Sequence, residues 1–303
     1  MNNLAPICLF TYNRLEETKQ TVDALKNNYL AVKSDLFVFS DGAKNDVTQV
    51  KVNQVREYLK TISGFNSISI FESQNNKGLA DSIIEGVTKI IEKFGKVIVI
   101  EDDLLTSPNF LNFMNEGLDF YRFNVHIISI CGYNMKIKDV RGDDYPYDIF
   151  FAKRSASWGW ATWSDKWNGI DWEINDFKDT FKDRKAIKDF NQMGSDMFKM
   201  LKDQQLGLNN SWAIRYCYHQ YKNNLYSVFP ILSKVRNIGF SSEATHTFQK
   251  YNRFDVELDT ELKVNFKFSD EVVLNKRILK SFRGINSILM RIYSKIRNKV
   301  NNI

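Results

Sequence analysis

The chain has 303 residues, of which 43% are hydrophobic and 26% are charged, and only four are prolines. This composition is typical of a globular protein and excludes a disordered chain. The three cysteines, Cys8, Cys131 and Cys217, are too few and too scattered for a disulfide framework or a zinc site, so we expect buried thiols in a reducing compartment. No apolar stretch approaches the ~18 residues of a membrane span, and the first residues lack the pattern of a signal peptide.

The first 130 residues alternate between short apolar runs and amphipathic segments. The runs predict strands over 7–10, 36–39, 68–71, 97–100 and 127–130. Apolar residues at helical spacing predict the intervening helices over about 15–25, 47–62, 79–91 and 110–121. Strands that alternate with helices indicate βαβ units around a mainly parallel sheet.

The pattern changes after Cys131. Residues 131–175 are rich in aromatic side chains and loop-like, and five of the six tryptophans lie between Trp158 and Trp172. The charged segment 174–205 is predicted to be helical, and a helix over 212–223 and a strand over 226–229 follow it.

The net charge of +6 is concentrated near the end of the chain. Residues 276–299 contain eight basic residues and no acidic one, while the rest of the chain has 34 basic and 36 acidic residues. Apolar residues at intervals of three and four predict a basic amphipathic helix over about 274–300. Basicity confined to this tail argues against a nucleic-acid partner. Such a helix can lie on an anionic membrane, or it can pack on the body with a solvated basic face.

Three polar clusters follow predicted strands, at Thr11–Arg14, Ser40–Gly42 and Glu101–Asp103. Ligands bind beyond the carboxyl ends of the strands in parallel sheets, so we expect a site there. The glycine-rich fingerprints of dinucleotide-binding and P-loop proteins are absent from the sequence. Three adjacent carboxylates repel one another and lose hydration on burial, which favours a divalent cation such as Mg²⁺ or Mn²⁺ beside them. The plainer interpretation is a solvated acidic turn.

The order of these motifs resembles that of GT-A-fold nucleotide-sugar glycosyltransferases. The chain is similar to the family of the Golgi N-acetylglucosaminyltransferase that starts complex N-glycans, and to bacterial surface-polysaccharide glycosyltransferases. The resemblance spans about residues 5–250. The motifs that carry it are Thr-Tyr-Asn-Arg (11–14), Ser-Asp-Gly (40–42), Asn-Lys-Gly-Leu-Ala (76–80), Glu-Asp-Asp-Leu (101–104), Ser-Trp-Gly-Trp-Ala-Thr-Trp (157–163) and Asn-Ile-Gly-Phe followed by Thr-His (237–246).

The resemblance implies a nucleotide-sugar donor, with UDP as the expected nucleotide. By position, Asp103 and His246 would bind Mn²⁺ or Mg²⁺. The implied donor-binding residues are Thr11, Arg14, Asp41, Lys77, Glu101, Asp102, Trp158 and Trp160. Within this set Arg14 and Asp41 would contact the base and Lys77 the diphosphate, unless they are ordinary surface or turn residues. The tryptophans would stack on a sugar ring, unless they belong to the core.

The general base is the point at which the chain departs from the family. An inverting transferase needs a base that takes the proton of the acceptor hydroxyl. The Golgi family has Trp-Asp-Asp-Trp before a helix, whereas the corresponding stretch here, Asn209–Trp212, lacks a carboxylate. Asp165, Asp171 and Glu243 are candidate bases, and we predict Asp103, Asp165 and Glu243 as catalytic residues. A retaining reaction is the alternative.

Taken together, the sequence predicts an α/β fold of GT-A type, with a mainly parallel sheet flanked by helices, an aromatic-rich acceptor-side lobe and a C-terminal basic amphipathic helix. Residues 1–130 would form the nucleotide-sugar-binding half, 131–273 the acceptor-side half of the same domain, and 274–303 the tail.

The expected activity is metal-dependent transfer of a hexose or N-acetylhexosamine to a hydroxyl of a glycan or lipid-linked acceptor in surface polysaccharide synthesis. We expect a cytoplasmic protein, peripheral on the inner face of the membrane. A catalytically inactive sugar- or membrane-binding protein of the same fold and a nucleotidyltransferase are the alternatives.

Overall fold

An eight-stranded sheet forms the centre of the computed structural model, which describes residues 4–137, 145–240 and 252–300. The strands in chain order are β1 (Ile7–Thr11), β2 (Asp35–Ser40), β3 (Ser67–Glu72), β4 (Lys96–Glu101), β5 (Leu104–Thr106), β6 (Ile127–Cys131), β7 (Ile149–Ala152), β8 (Trp160–Trp163), β9 (Tyr226–Pro230) and β10 (Val235–Asn237). The order in the sheet is β3-β2-β1-β4-β8-β6-β9-β7, and β5 and β10 form a separate antiparallel pair.

Six of the eight strands run in the same direction. β1 pairs in parallel with β2 and β4, β2 with β3, and β6 with β9. β8 is antiparallel to both β4 and β6, and β7 is antiparallel to β9. Continuous apolar runs such as those of β1 and β4 are expected where a strand is covered on both faces. The predicted class, an α/β fold with a mainly parallel sheet flanked by helices, is confirmed.

The helices cover both faces of the sheet. They are α1 (Leu15–Lys26), α2 (Asp46–Leu59), α3 (Leu79–Phe94), α4 (Phe110–Phe120), α5 (Ser164–Trp167), α6 (Phe177–Thr180), α7 (Arg184–Phe190), α8 (Met197–Gln205), α9 (Trp212–Lys222), α10 (Lys276–Ile285) and α11 (Ile288–Val300). Strand side chains alternate between the faces, which produces two apolar clusters. One contains Leu9 and Ile100 with α1, α2 and α4, and the other contains Phe10 and Val99 with α3 and α9.

The aromatic-rich segment differs from its predicted loop-like character. It contributes β7 and β8 to the central sheet, and all four residues of β8 are buried between β4 and β6. Pairing with strands distant in sequence overrides the local pattern there. The predicted helical segment 174–205 consists of short helices, α6 to α8 and a 3₁₀ turn at Asn191–Met193. β6, β8 and β9 belong to the same sheet as β1 to β4. The predicted division at residue 130, into a donor-binding and an acceptor-side half, therefore concerns function and stays a prediction.

The predicted single C-terminal helix is two helices. The chain breaks between α10 and α11, where the Asn286 carbonyl accepts hydrogen bonds from the Ser195 N–H at 3.4 Å and the Ser195 Oγ at 2.8 Å. Contacts with the body therefore interrupt a pattern that is continuous in sequence. All three cysteines are free and buried, as predicted. Within the described residues, no helix is long and apolar enough to cross a membrane.

Candidate active site

A cleft with a volume of about 220 Å³ opens at the carboxyl ends of β1, β2 and β4. The three polar clusters predicted from sequence meet there, because these strands are neighbours and parallel. The cleft is lined by Phe10, Thr11, Tyr12, Arg14, Phe39, Asp41, Lys44, Asn76, Gly78, Leu79, Ser82, Glu101, Asp102, Asp103, Asn237, Gly239 and Phe240. Five of the eight implied donor-binding residues are among them.

One arginine holds the two aspartates that follow β4. Arg14 Nη2 donates to Asp102 Oδ1 at 2.9 Å and to Asp103 Oδ2 at 3.0 Å. Asp102 Oδ2 also accepts the Tyr12 N–H at 3.0 Å, which ties the end of β4 to the end of β1. Burial alone lowers the pKa of Arg14, but the two adjacent carboxylates outweigh it and raise that pKa above its ordinary value. Arg14 therefore stays charged and fixes both side chains.

The acidic triplet carries more negative charge than Arg14 neutralises. Burial raises the pKa of Asp102 to about 6, with Arg14 opposing the rise and Asp103 adding to it. Burial, and then repulsion from Asp103 and Asp102, raises the pKa of Glu101 well above its ordinary value. A bound cation would relieve this repulsion.

Two hydroxyl oxygens and one carboxylate oxygen are buried at the cleft without a hydrogen-bond partner. They are Thr11 Oγ1, Tyr12 Oη and Asp103 Oδ1. A buried polar atom without a partner costs roughly 1–3 kcal/mol, so such atoms at a cleft are typical of ligand sites.

The ribbon of β5 and β10 closes one side of the cleft. The Ile238 N–H donates to the Asp103 carbonyl at 2.8 Å, immediately after β10. Gly239 then lies so close that a Cβ atom on it would be 2.0 Å from Asp103 Oδ2 and 2.8 Å from Arg14 Nη1. Only glycine fits against this ion pair, and the next residue, Phe240, also lines the cleft.

Asp41 holds the loop that leads into α3. Its Oδ1 accepts the N–H groups of Gly42 at 2.8 Å and Lys77 at 2.9 Å. Its Oδ2 accepts the Gly78 N–H at 2.9 Å and Asn76 Nδ2 at 3.0 Å. The carboxylate thus receives four hydrogen bonds from the protein and positions the loop 76–78 at the cleft. A contact with the nucleotide base stays a prediction.

An apolar wall faces these polar groups. The rings of Phe10 and Phe39 stack at 5.0 Å between centroids, and both line the cleft. Gly86 of α3 makes this packing possible, since a Cβ there would be 2.7 Å from Phe10 Cε1. The wall offers a flat surface of the kind on which a nucleobase can stack.

Three other predicted residues lie outside the cleft. The Lys77 ammonium contacts Glu85, on a neighbouring groove. Trp160 is buried and stacks on Trp212 at 4.7 Å in the core. Asp165 follows β8, whose last residue pairs with the first residue of β4, so it lies at the opposite edge of the sheet.

Trp158 lies next to the cleft. Its ring meets the Phe240 ring at 5.9 Å and the Tyr133 ring at 4.6 Å, in edge-to-face contacts. Glu243 and His246 lie outside the described residues, so their predicted roles stay predictions.

Several cleft residues were missed from sequence. Lys44 and Phe39 looked like ordinary turn and strand residues. Asn237 and Gly239 belong to the Asn-Ile-Gly-Phe motif, which contributes to the family resemblance but assigns no role to either residue. They reach the cleft only because β10 pairs with β5 from a distant part of the chain.

The donor set fits a divalent cation held jointly with a ligand. Within ranges 4–137, 145–240 and 252–300, no group of three or more His, Cys, Asp or Glu side chains is arranged to hold a metal by itself. Asp103 Oδ1 is nevertheless buried, acidic and without a partner. One carboxylate plus substrate phosphates is a usual set for Mg²⁺, so the residues present are compatible with an ion that arrives with a diphosphate.

Comparison with known proteins gives distant structural similarities. No family model matches the chain, and no curated protein matches it. Among solved structures, it is similar to the mannosyltransferase PcManGT from Pyrobaculum calidifontis in complex with GDP-Man and Mn²⁺, at 12% identity, 54% of this chain, 46% of that chain and a TM-score of 0.36. It is also similar to TarS from S. aureus, at 13% identity, 75% of this chain, 36% of that chain and a TM-score of 0.38. The chain matches less than half of either protein, and similarity at this level assigns no activity.

Proposed function

We propose that this protein is a metal-dependent glycosyltransferase that takes a hexose or N-acetylhexosamine from a nucleotide-sugar, with UDP as the expected nucleotide. The observation that carries the proposal is the set of unpartnered buried oxygens on Thr11, Tyr12 and Asp103 beside three clustered carboxylates. An anionic cluster at a ligand cleft suits a cation that bridges to phosphates.

The chain's own residues bind and orient the donor. Asp103 would hold Mn²⁺ or Mg²⁺ together with the diphosphate, and Arg14 keeps the carboxylate in position. Phe39 supplies an apolar surface for the base, and Asp41 fixes the loop that forms the floor. A bound divalent ion neutralises the charge that develops on the leaving diphosphate. His246 is proposed as a second ligand.

The acceptor approaches from the side of residues 131–273. It carries the attacking hydroxyl, on a glycan or a lipid-linked saccharide of the kind used in surface polysaccharide synthesis. Trp158 stands at this side of the cleft, next to Phe240. Asp165 lies at the far edge of the sheet. The Asp171 carboxylate accepts the backbone N–H groups of Glu173 and Asn175, at 3.0 Å each, so we keep Glu243 as the candidate base.

We also propose a peripheral, cytoplasmic location on an anionic membrane. The two C-terminal helices differ in the burial of their apolar faces. Ile278, Leu279 and Phe282 of α10 are buried against the body. In α11, by contrast, Leu289 is 80% exposed and Ile296 is 58% exposed. The exposed stripe lies among basic residues with no acidic one nearby in sequence, as in helices that lie in a membrane interface.

A second candidate is a catalytically inactive protein that binds nucleotide-sugars. Asn210 favours it, since this residue stands where the related family has an acidic residue, and its side chain donates to Asp81 at 3.3 Å. This protein would bind the donor with a cation and leave it intact.

A thermal-shift screen of nucleotide-sugars tests the binding half of the proposal. We expect UDP-sugars to raise the melting temperature of the full chain with Mn²⁺, and the shift to disappear in EDTA. Sugar 1-phosphates without the nucleotide serve as controls. If no nucleotide-sugar shifts the melting temperature with Mn²⁺, the donor assignment is wrong.

A further inference from the structure

Three arginines from separate segments lie near Asp196, outside the donor cleft. Arg154 donates Nη1 and Nη2 to the two oxygens of Asp196, at 3.0 Å each. Arg291 of α11 donates to Ser195 Oγ at 3.3 Å. Arg253 has a buried Nε without a partner, and within the described residues its guanidinium forms neither a hydrogen bond nor an ion pair. Among the described residues, these three positive charges beside one carboxylate leave an excess of two positive charges.

Arg253 directly precedes Phe254, which lines the same cavity as Arg154. Burial lowers the pKa of Arg253. Asp196 opposes that shift, while Arg291 and Arg154 add to it. The other nearby carboxylate, Asp255, is already paired with Arg236 at 2.9 Å. Among the described residues, the cluster is therefore an electropositive site whose two nearby carboxylates, Asp196 and Asp255, are already paired.

Arg154 lines an aromatic cavity with a volume of about 180 Å³, and Arg253 lies against Phe254, which also lines it. Its lining includes Arg154, Tyr133, Trp158, Met200, Ile214 and Phe254. The Tyr133 hydroxyl donates to the Phe254 carbonyl at 2.8 Å, which fixes the segment that carries Arg253. The Arg253 guanidinium lies over the Phe254 ring at 4.2 Å. Cavity and charges thus belong to one site.

This cavity shares a wall with the donor cleft. The wall is the edge-to-face contact between Trp158, which lines the cavity, and Phe240, which lines the cleft. A molecule in the cavity would therefore lie beside the donor.

We propose that the cavity binds a phosphate ester, with its phosphate on Arg253 and Arg291 and its carbon portion against Trp158, and that this ester is the acceptor. The acceptor role rests on the proposed glycosyltransferase function, whereas the binding of a phosphate ester does not.

The charge and the N–H groups of the arginines favour a phosphate ester as the ligand. A phosphate dianion matches the excess charge of the cluster, and guanidinium groups bind phosphate through paired N–H donors. Arg154 is pinned by Asp196, and by Gly194, where a Cβ would be 2.1 Å from Arg154 Nη1. Arg154 therefore forms part of the cavity wall. The N–H groups that remain for a ligand are those of Arg253 and Arg291.

Calorimetry with the full chain in EDTA, without a nucleotide-sugar, tests the site separately from transfer. The probe is phenyl phosphate, which joins a phosphate to a small apolar group. Inorganic phosphate tests the anion alone, and benzyl alcohol tests the apolar group alone. We expect phenyl phosphate to bind more tightly than either. Arg253→Gln and Arg291→Gln should each weaken its binding by about 10-fold, a typical effect of removing one charge-assisted contact.

Arg236→Gln is the matched control, since Arg236 is a nearby exposed arginine that pairs with Asp255. It should bind phenyl phosphate as the wild type does. Equal affinity of Arg253→Gln, Arg291→Gln and wild type would overturn the proposal, and so would phenyl phosphate binding no more tightly than inorganic phosphate. Acceptor-independent hydrolysis of the nucleotide-sugar by the wild-type chain tests the proposed function separately. A chain that binds the probe without any hydrolysis keeps this site and loses the proposed function.

Discussion

At the scale of single residues, the cleft depends on contacts that leave no room for a methyl group. Gly239 packs directly on the ion pair of Asp103 and Arg14. Gly239→Ala must push the Asp103 carboxylate away, and a misplacement of about 1 Å can cost on the order of 100-fold in rate. We expect donor binding with Mn²⁺ to fall by at least about 10-fold, measured by calorimetry.

The control for this variant is Gly284→Ala in α10, where an added Cβ meets no atom within 4 Å. It should bind the donor normally and should be slightly more stable, since alanine favours a helix over glycine. Normal donor binding by Gly239→Ala would show that Asp103 has no role in holding the ion.

Asp41 provides a second test at this scale. Asp41→Asn replaces one acceptor oxygen by an N–H₂ group that faces N–H donors of the loop 76–78. We expect faster hydrogen exchange at the amides of Lys77 and Gly78 and weaker donor binding, measured by mass spectrometry and calorimetry.

The two readouts separate positioning from direct contact with the base. Asn76→Ala removes a bond to Asp41 but leaves the carboxylate in place, so it should reproduce part of both effects. If Asp41→Asn weakens nucleotide binding while the exchange of both amides stays at the wild-type rate, Asp41 acts on the base and not through the loop.

The sequence identified the residues that follow strands and could not identify those that arrive from elsewhere. Arg14, Asp102 and Asp103 were predictable because strand ends in a parallel sheet share an edge. Asn237 and Gly239 reach the same place through the pairing of β10 with β5, whose partners are about 130 residues apart in the chain. Short strands with distant partners leave little local pattern.

At the scale of elements, the accuracy with which a strand was predicted from sequence depended on the type of strand. β1, β2 and β4 contain continuous apolar runs, and the apolar runs of β3 and β6 are each interrupted by one serine. Each of the five was placed to within one residue at either end. β7 and β8 were missed because their aromatic residues occur within a loop-rich segment. β8 enters the sheet between β4 and β6 as an antiparallel strand, a position that only tertiary pairing defines. The continuous pattern of the tail likewise concealed the break between α10 and α11.

The difference between α10 and α11 gives a prediction for membrane binding. Lys295→Gln with Arg297→Gln should weaken binding to vesicles that contain phosphatidylserine by roughly 30-fold, at about 1 kcal/mol per cation. Ile292→Ser with Ile296→Ser should weaken it as well, because each isoleucine loses roughly 1.5–3 kcal/mol of burial in the interface. Co-sedimentation at low and high salt measures both effects.

Leu262→Ser is the control for the second pair, since Leu262 is 78% exposed and lies outside α11. It should sediment with vesicles like the wild type. If the wild-type chain stays in the supernatant with anionic vesicles at low salt, α11 is not a membrane-binding helix and its apolar stripe has another partner.

At the scale of the whole molecule, the proposed sites form a continuous series. The donor cleft adjoins the aromatic cavity through Trp158 and Phe240. Arg154 lines the cavity and pairs with Asp196, and the neighbouring Ser195 accepts a hydrogen bond from Arg291. Arg291 belongs to α11, the helix with the exposed apolar stripe. An acceptor with a phosphate between its saccharide and a lipid would reach from the membrane to the donor along this path.

The release of nucleoside diphosphate from UDP-sugars by the purified chain tests the central claim most directly. With Mn²⁺ the wild type should release UDP, at a basal rate through water as the acceptor. Asp103→Asn, which keeps the size of the side chain and removes its charge, should lower the rate by at least about 100-fold, because the loss of an outer-shell partner of a metal ligand already costs roughly 10–100-fold. EDTA should abolish the release, and added Mn²⁺ should restore it. Release that is unaffected by EDTA and by Asp103→Asn would contradict a metal-dependent transferase built on this cleft.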